Sequence, residues 1–229
     1  MATSWHLRES DFFDGLAEEK KAFLSLARRR ELKKNDMVFF EDAPGNSCFY
    51  LESGLIKIFK ISPEGKEPIF FLRRKGEFFG LAEVMEGKHR KANAQAITPA
   101  VLFEIGRKNF DDLLARHYAL ARRVIEVLGR RLRYLGEQIE NLMSCDVSTR
   151  LAKLLVYLCY DQLADEDSWV RPTQILFSLT QEQLADMVGS TQQTVSEMLK
   201  KFQNEGLIVI SKRQITILNP LVLLQKAGN

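Results

Sequence analysis

Between residues 32 and 106 the apolar positions come in short runs, MVFF, CFYL, LIKIFKI, PIFFL, EFFG, ANAQAI and VLFEI. Turn-forming residues divide them: Pro44-Gly45, Ser53-Gly54, Ser62-Pro63-Glu64-Gly65, Lys75-Gly76, Glu86-Gly87 and Thr98-Pro99. Short β-rich runs at close, regular spacing predict a small β-barrel or jelly roll. The flanks have a different texture. Residues 11–30 carry Phe12, Phe13 and Leu16, then Phe23, Leu24 and Leu26 before Arg28-Arg29-Arg30, and read as short helices. After Gly106 the pattern is helical for roughly forty residues.

Within that helical stretch Ile125, Leu128, Leu132, Leu135, Ile139 and Leu142 follow spacings of 3, 4, 3, 4 and 3. A sustained alternation of three and four makes a narrow seam, as in a coiled coil, rather than the broad stripe of a core-facing helix. Arg122, Arg123, Glu126, Arg130, Arg131, Arg133, Glu137 and Glu140 flank the seam as solvated positions. The helix could simply pack on its own barrel, but charge on both sides favours a partner helix, most simply that of a second copy in a homodimer.

Asp146 opens a new apolar-periodic run, DVSTRLAKLLVYLCYDQL, and predicts an N-cap. The acidic stretch ADEDSWVRP interrupts the chain before QILFSL, read as a short strand. GLIVIS and QITILN, joined through Lys212-Arg213, read as a β-hairpin. Between QILFSL and the hairpin, QEQLADMVGSTQQTVSEMLKKFQNE predicts two helices around a tight turn. Thr180 and Gln183 make a capping box, Leu184 and Val188 share a face, and Ala185 is small where a second helix must approach. Gly189 stands at the bend, where a positive φ suits a residue without Cβ. Val195 and Met198 return the second helix to the first. An ordinary helical hairpin would explain Leu, Val and Met, but not Ala, Gly and Val together at these intervals.

This order resembles the cyclic-AMP receptor/FNR (Crp/Fnr) family of bacterial transcription regulators over roughly residues 10 to 220. SPEGKEPIFFL, GEFFGLAEVMEGKHRKANAQA, CDVSTRLAKLL and LTQEQLADMVGSTQQTVSEMLKKFQNEGLI carry the resemblance. It implies an α+β fold with three parts: a β-roll sensor of cyclic-nucleotide-binding type over 1–115, a dimerisation helix over 116–146 and a winged helix–turn–helix over 147–229. The seam residues would form the dimer interface, and Asp146 the hinge.

The resemblance implies that the second helix of the motif enters the major groove. Gln192, Gln193 and Ser196 would meet bases, and Thr180 and Thr191 phosphates. Lys200, Lys201 and the hairpin tip Lys212-Arg213 supply positive charge to the backbone. The best-known members carry Arg, Glu and Arg where this chain has Gln192, Gln193 and Glu197. Glutamine pairs with adenine N6/N7 where arginine suits guanine O6/N7, so the half-site should tilt toward A·T. Glu197 either accepts from a cytosine N4 or turns aside to pair with Lys200 or Lys201, three and four residues on, and the lysine pairing is favoured. Two protomers, with recognition helices about 34 Å apart on a palindromic promoter site, would act by contacting or blocking RNA polymerase.

In the sensor half, the family's cyclic-nucleotide members use a Gly-Glu pair, an Arg-Ser pair and a Thr-Ser pair from the dimer helix. The matching positions here read Gly80-Leu81, Arg90-Lys91 and Leu135-Gly136. Arg90 can still meet an anion, but the ribose-binding carboxylate and the base-binding hydroxyls are gone, which argues against cyclic AMP. Three alternatives stay open. A small apolar or weakly polar effector is one. Haem sensing a gas, with His89, His6, His117 or Cys48 as axial ligand, is another. The third is no ligand at all.

Composition narrows the field further. The chain has 229 residues, 45% hydrophobic and 28% charged, and a net charge of +3. Residues 147–229 carry eight basic and eight acidic residues, so bulk charge gives no argument for nucleic acid and local geometry must. No apolar run reaches the roughly 20 residues of a membrane span, and the charged N-terminus lacks a signal-peptide core. A cytoplasmic location is therefore expected. Cys48, Cys145 and Cys159 show no CxxC, against a closed zinc site or an iron–sulfur cluster. A metal-dependent jelly-roll enzyme would need clustered histidines, and only His6, His89 and His117 exist. No enzyme is expected. A protein-interaction module without sequence-specific DNA binding is the rival reading.

Overall fold

The computed structural model describes residues 11–227, which form two compact units divided between Arg133 and Tyr134. The first opens with a turn at residues 11–15 and helix α1 (Ala17–Leu26). Strands β1 (Arg28–Leu32), β2 (Met37–Phe39), β3 (Ser47–Ser53), β4 (Ile56–Phe59), β5 (Ile69–Arg73) and β6 (Phe78–Phe79) follow. Helix α2 (Leu81–Glu86), strands β7 (Asn93–Ala96) and β8 (Ala100–Gly106), and helices α3 (Arg107–Arg116) and α4 (Tyr118–Ser144) complete the series. All seven apolar runs contain a strand. Residues 11–30 require a correction: they hold one helix, and Arg28–Arg30 belong to β1. That strand is polar because it lies at a sheet edge, paired only with β8.

Two four-stranded antiparallel sheets, β1-β8-β3-β6 and β2-β7-β4-β5, make the β-roll. Strand alternation explains why the runs read as continuously apolar. In β3, Phe49 and Leu51 point into the roll with Val38, Ile56, Phe79 and Leu102. Cys48 and Tyr50 point the other way, beneath the helices, with Phe23, Phe78, Phe110 and Leu120. Both faces of β3 are thus buried, which leaves few positions for polar residues.

Helix α4 has two apolar faces with different fates. Leu120, Val124 and Val127 are buried in the helix-covered core. The seam is not: Ile125 is 70% exposed and Leu132 73%, and Leu128, Leu135, Ile139 and Leu142 are exposed as well. The flanking charges also need correction, because two are anchors rather than solvated. Arg123 donates to the carbonyls of Phe12 (2.8 Å) and Asp14 (2.9 Å), and Arg131 to that of Phe78 (2.5 Å).

In the second unit α4 runs out at Ser144 and α5 (Val147–Cys159) begins. Two short 3₁₀ turns and strand β9 (Thr173–Gln174) follow, then α6 (Gln181–Val188), α7 (Gln192–Asn204), β10 (Ile208–Ser211), β11 (Gln214–Ile217) and α8 (Pro220–Ala227). The strand expected at QILFSL lies earlier, at Thr173–Gln174. Its pairing with β11 covers only Thr216↔Gln174 and Ile217↔Thr173, so the apolar residues beyond it continue as irregular chain. Strands β10 and β11 form the expected hairpin. Helix α8 went unread, although Asn219-Pro220 announces it: Asn219 Oδ1 accepts from Val222 N at 3.0 Å, with proline at the first helical position.

Candidate nucleic-acid interface and sensor site

The helix–turn–helix is built by local chemistry. Thr180 Oγ1 accepts from Gln183 N (3.1 Å) while Gln183 Oε1 accepts from Thr180 N (2.9 Å), a complete capping box. Leu184, Ala185 and Val188 are buried. Gly189 holds φ 64°, a left-handed value that ends α6. Thr191 then caps α7, its hydroxyl accepting from Thr194 N at 3.1 Å. Helix α7 buries Val195, Leu199 and Phe202. Met198, expected to face α6, is only half-buried, because Val195 is followed on its own face by the residue four along, Leu199.

The opposite face of α7 is left to solvent. Gln192, Gln193, Glu197, Lys200 and Lys201 are exposed and Ser196 is half-buried. With Gln181 at the start of α6, they line an open cleft of about 360 Å³, Lys201 excepted. Gln181 was missed in the sequence, where it reads as filler after a cap. Glu197 corrects an expectation: its Oε1 accepts from Gln193 Nε2 at 3.2 Å, and among the described residues it makes no ion pair with Lys200 or Lys201. The amide lies one turn back on the same face, so the lysines keep their charge for other partners. The hairpin tip stands apart from α7 in chemistry. Lys212 (φ 48°) and Arg213 (φ 66°) both hold left-handed backbone and are exposed. Two consecutive positive φ values make the two-residue turn that glycine and asparagine favour.

Arg150, another residue missed in the sequence, braces the motif. Its guanidinium donates to the carbonyls of Val188 (2.9 Å) and Gly189 (3.4 Å) at the end of α6, and to Cys145 (2.8 Å) at the end of α4. A cation thereby satisfies the orphan carbonyls of two helix C-termini. Beside it, Asp146 Oδ1 accepts from Thr149 N at 2.8 Å, capping α5 as the sequence implied. Lys153 reaches back to Asn141 Oδ1 at 2.6 Å.

In the β-roll, Arg90 is 1% exposed. It donates to Ser47 O (2.5 Å), Gly80 O (3.3 Å) and Glu83 Oε2 (3.3 Å), and its guanidinium stacks 4.2 Å over the Phe39 ring. Burial pulls its pKa down, and the Glu83 carboxylate opposes that. Gly80 has φ 72°, a left-handed value that favours glycine, and a Cβ there would stand 2.7 Å from Arg90 Nη1. Leu81 is 2% exposed within the helix-covered core, while Lys91 is exposed. Gly80 and Arg90 are therefore brought together and Lys91 is not; Leu135 and Gly136 belong to the second unit.

The candidate haem ligands lie in different surroundings. Cys48 is fully buried in packed apolar core, and burial drives its thiol pKa up, away from the thiolate. His117 turns Nδ1 toward Glu19 Oε1 at 4.0 Å, and His89 is exposed in the loop beside Pro44. His6 lies outside the described residues. Among the described residues no three His, Cys, Asp or Glu side chains group closely enough to hold a metal ion, and no helix is long and apolar enough to cross a membrane.

Comparison with known proteins agrees with this geometry. Residues 29–117 match the family described as Cyclic nucleotide-binding domain, and residues 149–225 match the Crp-like helix-turn-helix domain. The CRP-like cAMP-activated global transcriptional regulator of Mycobacterium tuberculosis is 27% identical over 214 residues, 92% of this chain and 93% of that relative. In fold, the chain is similar to a CooA mutant from Carboxydothermus hydrogenoformans, with TM-score 0.79 and 23% identity over 98% of this chain and 99% of that one. FixK2 from Bradyrhizobium japonicum gives 0.74 and 21% over 87% and 96%. A β-roll of the cyclic-nucleotide-binding type, followed by a long helix and a winged helix–turn–helix of the Crp type, places the chain in the Crp/Fnr family of DNA-binding transcription regulators.

Proposed function

We propose that this regulator acts as a homodimer that reads a palindromic promoter site through α7 and answers to an effector other than cyclic AMP. The observation that carries the dimer is the exposed seam of α4. Six large apolar side chains along one face of a surface helix leave more apolar area in water than a monomer ordinarily tolerates, and their spacing suits a second copy of the same helix. In that dimer the two α7 helices meet successive turns of the duplex, Gln192, Gln193 and Ser196 facing bases. Thr180, Thr191, Lys200, Lys201, Lys212 and Arg213 hold the phosphates. Asp146 is the hinge, and RNA polymerase is the partner at the promoter.

The sensor reading rests on Leu81 and Arg90. The Mycobacterium tuberculosis relative is described as cAMP-activated, but the position expected to supply a ribose-binding carboxylate is a buried leucine here. Arg90 already has Glu83 as its counter-charge, so an anionic ligand must displace a carboxylate to reach it. A small neutral or weakly polar organic effector suits this roll better, shifting the dimer toward its DNA-binding state. The direct test is selection from random-sequence duplexes by the purified chain, followed by binding across salt concentrations. Expected are an inverted-repeat site and affinity falling steeply with salt; selection of no common sequence contradicts the DNA reading. Titration calorimetry with cyclic AMP should give no saturable heat.

A further inference from the structure

On the reading of α7 as the helix that meets bases, the Gln193–Glu197 contact says which bases it meets. Gln193 Nε2 donates to Glu197 Oε1 at 3.2 Å, and both residues line the open cleft. An ionised carboxylate only accepts, so the amide must turn its NH₂ toward Glu197 and leave Oε1 facing outward. The pair therefore offers the groove the Gln193 carbonyl, one remaining Gln193 N–H and the unused lone pairs of Glu197. That surface is rich in acceptors. Among major-groove base edges only adenine N6 and cytosine N4 donate; guanine O6 and N7 and thymine O4 accept.

We infer that Glu197 is a positioning and specificity-determining residue, which locks the Gln193 amide so that the pair selects adenine or cytosine, and rejects guanine and thymine, at one position of each half-site. Adenine takes Gln193 Oε1 with N6 and the free N–H with N7. Cytosine gives N4 to Oε1 or to the carboxylate. Guanine and thymine bring no donor for either acceptor and can use only the single free N–H. The interaction also explains why a carboxylate stands on a helix that must approach phosphates. Glu197 costs general affinity and returns discrimination.

The test uses the full chain and the duplex it selects, with each base placed in turn at the position whose preference Gln193→Ala abolishes. Binding is read by fluorescence anisotropy. The wild type should prefer adenine or cytosine over guanine or thymine by about tenfold, and replacing adenine by purine, which lacks the 6-amino group, should cost about as much. Glu197→Gln, which can present either amide atom to Gln193, and Glu197→Ala should both raise overall affinity. Both should flatten the preference at this position by at least about fivefold, with preferences elsewhere intact. A guanine or thymine preference, an unchanged preference in both variants, or an equal loss at every position overturns the inference alone. A wild type that binds no sequence preferentially overturns the DNA reading, and this inference with it.

Discussion

Asp146 and Arg150, four residues apart, show how single side chains set the corner where α5 leaves α4. The Thr149 backbone N–H, and then its hydroxyl, hold the Asp146 carboxyl below the usual aspartate range. Because the folded chain prefers the ionised form, this contribution is present above the ordinary aspartate value and is lost as pH falls through the lowered one. Asp146→Ala should destabilise the winged unit by about 1 kcal/mol at neutral pH. Urea unfolding of wild type and variant should converge in acid. Arg150→Met removes a cation from three helix-terminal carbonyls and should cost about 3 kcal/mol, read as a lower unfolding midpoint. Arg90→Met leaves Glu83 without its buried partner and should cost the β-roll about 3 kcal/mol as well. For Arg90 the sequence offered only its match, with Gly80, to the family's nucleotide-binding positions. The fold adds what was not legible, its burial between Ser47, Gly80 and Phe39.

At the scale of elements, legibility followed burial. The strands that pack on both faces, β3 above all, announce themselves as apolar runs, and the caps of α5, α6 and α7 are local enough to be read from a few residues. The polar edge strand β1 was invisible because its pairing with β8 rests on backbone bonds and an Arg30–Glu104 ion pair, and only Leu32 is buried. Face contacts were partly legible too. The Val195 face was found, though Leu199 rather than Met198 is its fully buried neighbour, and the Glu197 partner was sought among lysines when an amide stood nearer. The wing tip gives a trade-off at this scale. Lys212-Arg213 occupies a turn that disfavours both residues by about 1–3 kcal/mol each. Replacement by Asn-Gly should therefore raise the stability of the winged unit by about 1 kcal/mol. The same change should weaken DNA binding and lower the salt slope by about two charges' worth. Thermal melts and salt titrations of one variant read both; a tighter-binding Asn-Gly variant would remove the wing from the interface.

At the scale of the molecule, the winged region brings no net positive charge and each protomer offers few cations. On the proposed dimer, specific binding needs two recognition helices acting together, and the α4 seam would bring them together. Leu132→Asp sets a charge in the middle of that seam, opposite its own copy, so dimerisation and DNA binding should fail in parallel while each unit stays folded by circular dichroism. The measurement that bears most directly on this is sedimentation velocity of the chain with its selected palindromic duplex. Two wild-type chains per duplex are expected, and no stable complex with Leu132→Asp at the same concentration. One wild-type chain per duplex, or an undiminished complex with Leu132→Asp, would contradict it.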